Sequence, residues 1–154
     1  MTRISRDQMW MMMCEAASRR STCKRLNVGA IIVHANDVVS VGYNGPPSGE
    51  EHCTGAACGI PSCTRAVHAE DNALRRAGAK GFVCDDTTTL YVTNSPCEAC
   101  TIKIIESGIK RVVYRDEYRI AGHLVGFKAA GVRLFRITPS GYMIDYETGQ
   151  FVDQ

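Results

Sequence analysis

Nowhere does this sequence hold an apolar run long enough to cross a bilayer. The first stretch that leans that way, Met9 to Met13, is closed by Cys14 and Glu15, too brief for a membrane span or a secretory leader. An excess of one charge is also missing. Lys and Arg number 18 against 16 Asp and Glu, a balance of +2, which argues against duplex nucleic acid as partner and leaves small anions open. There is no internal repeat and no low-complexity tract. With 45% apolar and 22% charged residues the composition excludes a disordered or fibrous state. What remains is a folded protein with no membrane partner, expected in the cytoplasm (a host's cytoplasm for a viral chain), with one domain over residues 1–154.

What the sequence does have is cysteine, eight of them. In a reducing compartment these point to metal ligation or catalysis rather than to a disulfide framework, so their positions matter more than their number.

The periodicity predicts the elements that carry them. Ser5 with Gln8 fits a capping box, and Met9, Met12, Met13, Ala16 and Ala17 recur at helical spacing, which predicts a helix over about 5–20 with its methionine stripe in the core. The β-branched runs Val28–Val33 and Val38–Tyr43, joined by His34-Ala35-Asn36-Asp37, predict a hairpin. Residues 45–66 form a loop about twice the usual length, expected to be pinned by metal. Helices are predicted over His68–Ala79 and Cys97–Ser107, the latter ending before Gly108, and over Ile120–Ala130 before Gly131. Strands are predicted at Thr88–Thr93, Arg111–Tyr114 and Val132–Ile137, and the tail, about 138–154, reads as a small hairpin. This order implies an α/β fold, a three-layer α/β/α arrangement around a mixed five-stranded sheet. Right-handed crossovers then bring the starts of the His68 and Cys97 helices to one sheet edge.

That juxtaposition has chemical content. His68-Ala69-Glu70 is followed, 27 residues after Glu70, by Cys97 in Pro96-Cys97-Glu98-Ala99-Cys100. Zinc favours thiolates and imidazole, and a catalytic site keeps one of four positions open, so His68, Cys97 and Cys100 suffice as ligands. Cys97 and Cys100 at the start of a helix meet the positive end of its dipole, which lowers thiol pKa values, and Pro96 suits a helix start. Glu70 as a fourth ligand would close the site, so it is expected to move protons instead. Taken singly, a histidine such as His68 is most often structural or on the surface, and the cysteine pair reads also as a redox pair or half of a structural zinc site. Taken together they resemble the signature of the zinc nucleobase deaminases, which implies attack of activated water on a ring carbon with Glu70 as the acid–base residue.

A wider set narrows the resemblance. Arg20-Ser21-Thr22-Cys23, Val28-Gly29-Ala30, Gly42-Tyr43-Asn44-Gly45 with Pro47-Ser48-Gly49, Asn72-Ala73, Tyr91-Val92-Thr93, Ser95-Pro96-Cys97 and Ser107-Gly108-Ile109-Lys110 are similar to the deoxycytidylate deaminase family, over about Arg19 to Phe135. The resemblance implies a cytidine-deaminase-like fold and conversion of dCMP to dUMP and ammonia. It implies substrate contacts from Asn44, Ala69, Ser95 and Tyr118. Asn44 alone reads also as a turn residue, and Tyr118 as core. Arg20, Lys24 and Arg25 are expected at the rim of a phosphate site. The resemblance further implies a second, structural zinc on Cys23, Cys53, Cys58 and Cys63, with His52 able to replace one of them. The other reading is reduced surface thiols. Cys14 and Cys84 are expected to be small apolar residues. A homohexamer is implied as well, activated by dCTP and inhibited by dTTP through Gly42, Tyr43, Gly45, Asn72 and Arg75 or Arg76, with Mg2+ accompanying the triphosphate. The rival readings are a deaminase of another base (adenosine in transfer RNA, cytosine or guanine) and a non-enzymatic zinc module.

Overall fold

A computed structural model describes residues 2–53, 65–118 and 122–153. Ser5 accepts a hydrogen bond from the Gln8 N–H at 3.1 Å and so opens helix α1, Arg6–Ser18, at the position the capping box predicts. Strands β1, Gly29–His34, and β2, Asp37–Tyr43, form the expected hairpin. Ala35 and Asn36 turn it with φ values of 49° and 63°, in the left-handed region that a two-residue turn between twisted strands requires. Then follow α2 (Ala69–Ala79), β3 (Thr89–Asn94), α3 (Glu98–Ser107), β4 (Arg111–Asp116), a 3-10 turn at Gly122–Leu124, α4 (Val125–Ala129) and β5 (Arg133–Ile137).

Among the described residues the sheet has seven strands, not five, in the order β2-β1-β3-β4-β5-β6-β7, with β6 at Met143–Asp145 and β7 at Phe151–Val152. The tail supplies the extra pair: β6 runs antiparallel along the edge that β5 would otherwise leave open, and β7 runs antiparallel to β6. Strands β3, β4 and β5 run parallel, with α3 crossing between the first two. Alternating side chains fill two cores. Ala30, Ile32, Leu90, Val92 and Val112 face Ala73, Ile104 and Phe127 of α2–α4. Ile31, Val33, Tyr91 and Val113 face Trp10, Met11 and Cys14 of α1. The layers are therefore helix, sheet, helix.

Two expectations change. The methionine stripe of α1 is not core: Met9, Met12 and Met13 are 37%, 54% and 39% exposed, while Trp10, Met11, Cys14 and Ala17 are buried. The cause is how closely the helix lies on β1, where a Cβ on Gly29 would come within 2.0 Å of the Cys14 carbonyl oxygen. Only the face carrying the small Cys14 and Ala17 permits that approach. Of the helix expected over Ile120–Ala130, the described residues form the 3-10 turn and the five-residue α4; Ile120 and Ala121 lie outside the described residues. Among the described residues no helix is long and apolar enough to cross a membrane.

Candidate active site

His68 and Cys97 hold corresponding positions, each the extended residue that caps the N-terminus of a helix, α2 and α3 respectively. A bridge between Gly45 and Val67 steers the chain into α2, and β3 delivers Cys97. As a result His68 Nδ1 lies 3.4 Å from Cys97 Sγ and 3.4 Å from Cys100 Sγ, although 29 and 32 residues separate them. Asp71 of α2 accepts from Lys103 Nζ of α3 at 2.8 Å, which ties the two helices together beside this group.

The three donor atoms all lie within 4.8 Å of one another. Zn–S near 2.3 Å and Zn–N near 2.05 Å at a tetrahedral angle require an N···S separation of about 3.6 Å, so the group fits zinc with one position left for water. A hydrogen bond from Cys100 and then one from His68 hold the Cys97 thiol far below its ordinary pKa despite partial burial, while the same pairing and burial push the Cys100 thiol up, so that the two sulfurs share one proton, which a bound metal would displace.

Glu70, in the first turn of α2, is 4% exposed and lines the same cavity as His68 and Cys97. Burial, the dominant cause, raises its carboxyl from 4.5 to about 7, with His68 opposing the shift. A carboxyl in that range both accepts and donates a proton near neutral pH.

The cavity measures about 140 Å³. The substrate residues expected from the sequence meet it in part: Asn44, Ala69, Ser95, Tyr118, Lys24 and Arg25 line it, as do Cys23 and Cys53. Arg20 does not; its guanidinium lies 5.9 Å from the centre of the Tyr43 ring. Arg25 Nη2 donates to the Tyr118 hydroxyl, and its guanidinium carbon lies 6.0 Å from that ring. Asn44 holds the wall as well as facing the cavity, since its amide accepts from Val28 N at 2.8 Å and donates to Leu26 O at 2.7 Å. The Ser95 hydroxyl accepts from Tyr118 N at 2.7 Å. Cys58 and Cys63 lie outside the described residues. Cys14, whose thiol donates to Tyr91 O at 3.4 Å, and Cys84 stand apart from the cavity.

The residues expected to bind an effector divide. Tyr43 is flanked by Arg20 and Arg76, which hold its phenol below its usual pKa, and Arg76 also donates to Val41 O at 2.6 Å. Arg75 turns away into an ion pair with Asp71 at 3.0 Å. Asn72 donates to Tyr43 O at 2.9 Å and joins α2 to the end of β2. Gly42 is approached by helix rather than ligand, since a Cβ there would come within 2.1 Å of Ala69 O. A Cβ at Gly45 would meet nothing within 4 Å. Sequence reasoning missed His123, whose Nε2 donates to Pro96 O at 2.7 Å; no spacing signal connects the two.

An α/β sheet that sets one imidazole, two thiols and a buried carboxylate around a single cavity defines a metal-dependent hydrolytic site. The family description "Cytidine and deoxycytidylate deaminase zinc-binding region" matches residues 4–116, and the chain belongs to that family. It is 36% identical over 150 residues to a deoxycytidylate deaminase of Schizosaccharomyces pombe, covering 89% of this chain but 45% of that protein's length. It is 36% identical to ComE operon protein 2 of Bacillus subtilis, over 94% of this chain and 78% of that protein. It is 40% identical to a deoxycytidylate deaminase of Mycobacterium phage D29, over 76% of this chain and 99% of that protein. The dCMP deaminase of cyanophage S-TIM5, solved in complex with dCMP and dUMP, superposes with a TM-score of 0.80 at 33% identity, over 89% of this chain and all of that one.

Proposed function

We propose that this protein is a zinc-dependent deaminase that hydrolyses dCMP to dUMP and ammonia. The observation that carries the reading is Glu70, a buried carboxyl in the cavity of the His68, Cys97 and Cys100 group, with Lys24 and Arg25 at its rim. That the phage, yeast and cyanophage relatives are deoxycytidylate deaminases supports dCMP over other bases. The near-neutral charge disfavours transfer RNA.

Zinc held by His68, Cys97 and Cys100 supplies Lewis acidity that brings the pKa of water toward about 7. Glu70 takes a proton from the attacking water and delivers it to N3 of the ring as oxygen bonds to C4. Glu70 then relays the proton of the new C4 hydroxyl to the exocyclic nitrogen, so that the C4–N4 bond breaks with ammonia as leaving group and the C4 carbonyl of uracil remains. Ala69 and Ser95 line the ring site, and Tyr118 packs against the ligand. Lys24 and Arg25 meet the phosphate through charge-assisted hydrogen bonds. Arg20, outside the cavity, is assigned instead to the cluster around Tyr43.

The finer readings complete the proposal. Cys23 and Cys53, together in the cavity wall, hold a second, structural zinc with Cys58 and Cys63. Tyr43 with Arg20 and Arg76 forms the effector site at which dCTP activates and dTTP inhibits, Mg2+ accompanying the triphosphate. The protein works in the cytoplasm as a homohexamer. The decisive experiment supplies zinc-loaded protein with dCMP, deoxycytidine, cytosine, guanine and adenosine, and measures ammonia and metal content per chain. Preferred turnover of dCMP with two zinc ions is expected. Turnover of a different base, or none by a fully loaded protein, would overturn the reading.

A further inference from the structure

We infer that His123 is a positioning residue for the metal group: by donating from Nε2 to the Pro96 carbonyl it fixes the peptide that carries Cys97. This rests on the zinc-deaminase reading above.

Pro96 is buried and has no N–H, so its carbonyl is its one polar backbone group. That oxygen stands ahead of the helix cap and takes no part in the α3 ladder, where Thr101 N donates to Cys97 O at 2.8 Å instead. Among the described residues its partner is His123, at 2.7 Å. A carbonyl only accepts, so the bond requires the tautomer with its proton on Nε2. The imidazole is itself fixed, because it stands on the 3-10 turn next to Leu124, which is 1% exposed in the helix-side core.

The bond completes a lacing between two segments. Ser95 N donates to Asp116 O at 2.8 Å, and Tyr118 N donates to Ser95 Oγ at 2.7 Å. Both of these grip Ser95. The His123 bond alone among the three reaches the peptide directly before the ligand, and it fixes the plane of that peptide and hence the direction in which Cys97 presents Sγ. The segment carrying Tyr118 and the segment carrying a metal ligand are thereby set in one register. Partners that hold a ligand from outside the coordination sphere typically govern metal affinity by ten- to hundredfold.

The test uses the zinc-loaded protein and 4-(2-pyridylazo)resorcinol as chelator, with the release phase of this group identified as the one missing from Cys100→Ser. His123→Phe keeps ring volume and loses the donor, whereas His123→Gln loses the ring and keeps a donor. Release at least about tenfold faster in His123→Phe, with near-parental release in His123→Gln at a matched melting temperature, is expected. Parental release in His123→Phe, or equal acceleration in both, would overturn the inference. Should the variants not fold, nitrogen NMR of the parent decides, since an Nδ1–H tautomer at His123 also overturns it and an Nε2–H tautomer supports it. Release rates decide this inference and turnover decides the deaminase reading, so the two fail separately.

Discussion

Glu70 and Arg25 sit in the same cavity with opposite characters, one sealed and one exposed. Sealing suits a group that must trade protons, since burial, working against the pull of His68, brings its carboxyl to about 7. Glu70→Gln removes the proton carrier and no proposed ligand, so turnover is expected to fall by about a thousandfold while zinc content stays at the parental value. Activity within about tenfold of the parent would remove Glu70 from the chemistry. Exposure suits a group that meets a phosphate arriving from water. Arg25→Ala is expected to raise KM for dCMP about 10- to 100-fold, the worth of a hydrogen bond to a charged group, and to leave the lower kcat/KM for deoxycytidine unchanged. Equal losses on nucleotide and nucleoside would show that Arg25 shapes the ring site through Tyr118 instead.

At the scale of elements, the site depends on how closely α2 lies on β2. Gly42 is the point of contact, and because the clash there is with helix backbone, no side-chain rotation relieves it. Gly42→Ala is expected to cost about 2–3 kcal/mol, an overpacking penalty seen as a melting temperature lower by about 5–10 °C. It should also weaken zinc binding, since Ala69 directly follows the ligand His68. Gly45→Ala, with open space around it, is the control, and equal destabilisation by both would refute the close-packing account. The same contact explains what could be read in the sequence and what could not. Helix caps at Ser5, the His34–Asp37 turn, the Gly108 stop and the His68, Glu70, Cys97, Cys100 set were legible because each is local or a fixed motif. The phase of α1 was not: residues 9, 12, 13, 16 and 17, the stripe expected, and residues 10, 14 and 17 both recur at helical spacing, and only the approach to Gly29 selects the second, leaving Ala17 as the one expected residue in the core. The tail strands were missed as sheet members because their pairing partner, β5, is a tertiary fact. That Arg20 lies beside Tyr43, that Arg75 pairs with Asp71 and that His123 reaches Pro96 could not be read for the same reason, since sequence spacing does not say toward which neighbour a long side chain turns.

For the whole molecule, the open question is whether the edge of the sheet at β2 communicates with the cavity. Arg76 donates to Val41 O at 2.6 Å and Lys80 to Val39 O at 2.7 Å, so basic side chains of α2 cover carbonyls along that edge, and Tyr43 stands there between Arg20 and Arg76. A triphosphate drawn to the two guanidiniums would act on α2, the helix that begins at His68 and carries Glu70. Binding alone changes nothing; on the proposed reading dCTP and dTTP must prefer different arrangements of the assembled subunits. Rate against dCMP concentration is therefore expected to be sigmoidal, to become hyperbolic with dCTP and to shift to higher concentration with dTTP. Arg76→Ala should lose both responses, and Arg75→Ala, whose side chain is turned to Asp71, should keep them. Sedimentation at assay concentration must show an oligomer for the comparison to count. Hyperbolic kinetics unmoved by either triphosphate, in a protein that sediments as an oligomer, would leave Arg20, Tyr43 and Arg76 as a surface cluster that guards the sheet edge and binds no effector.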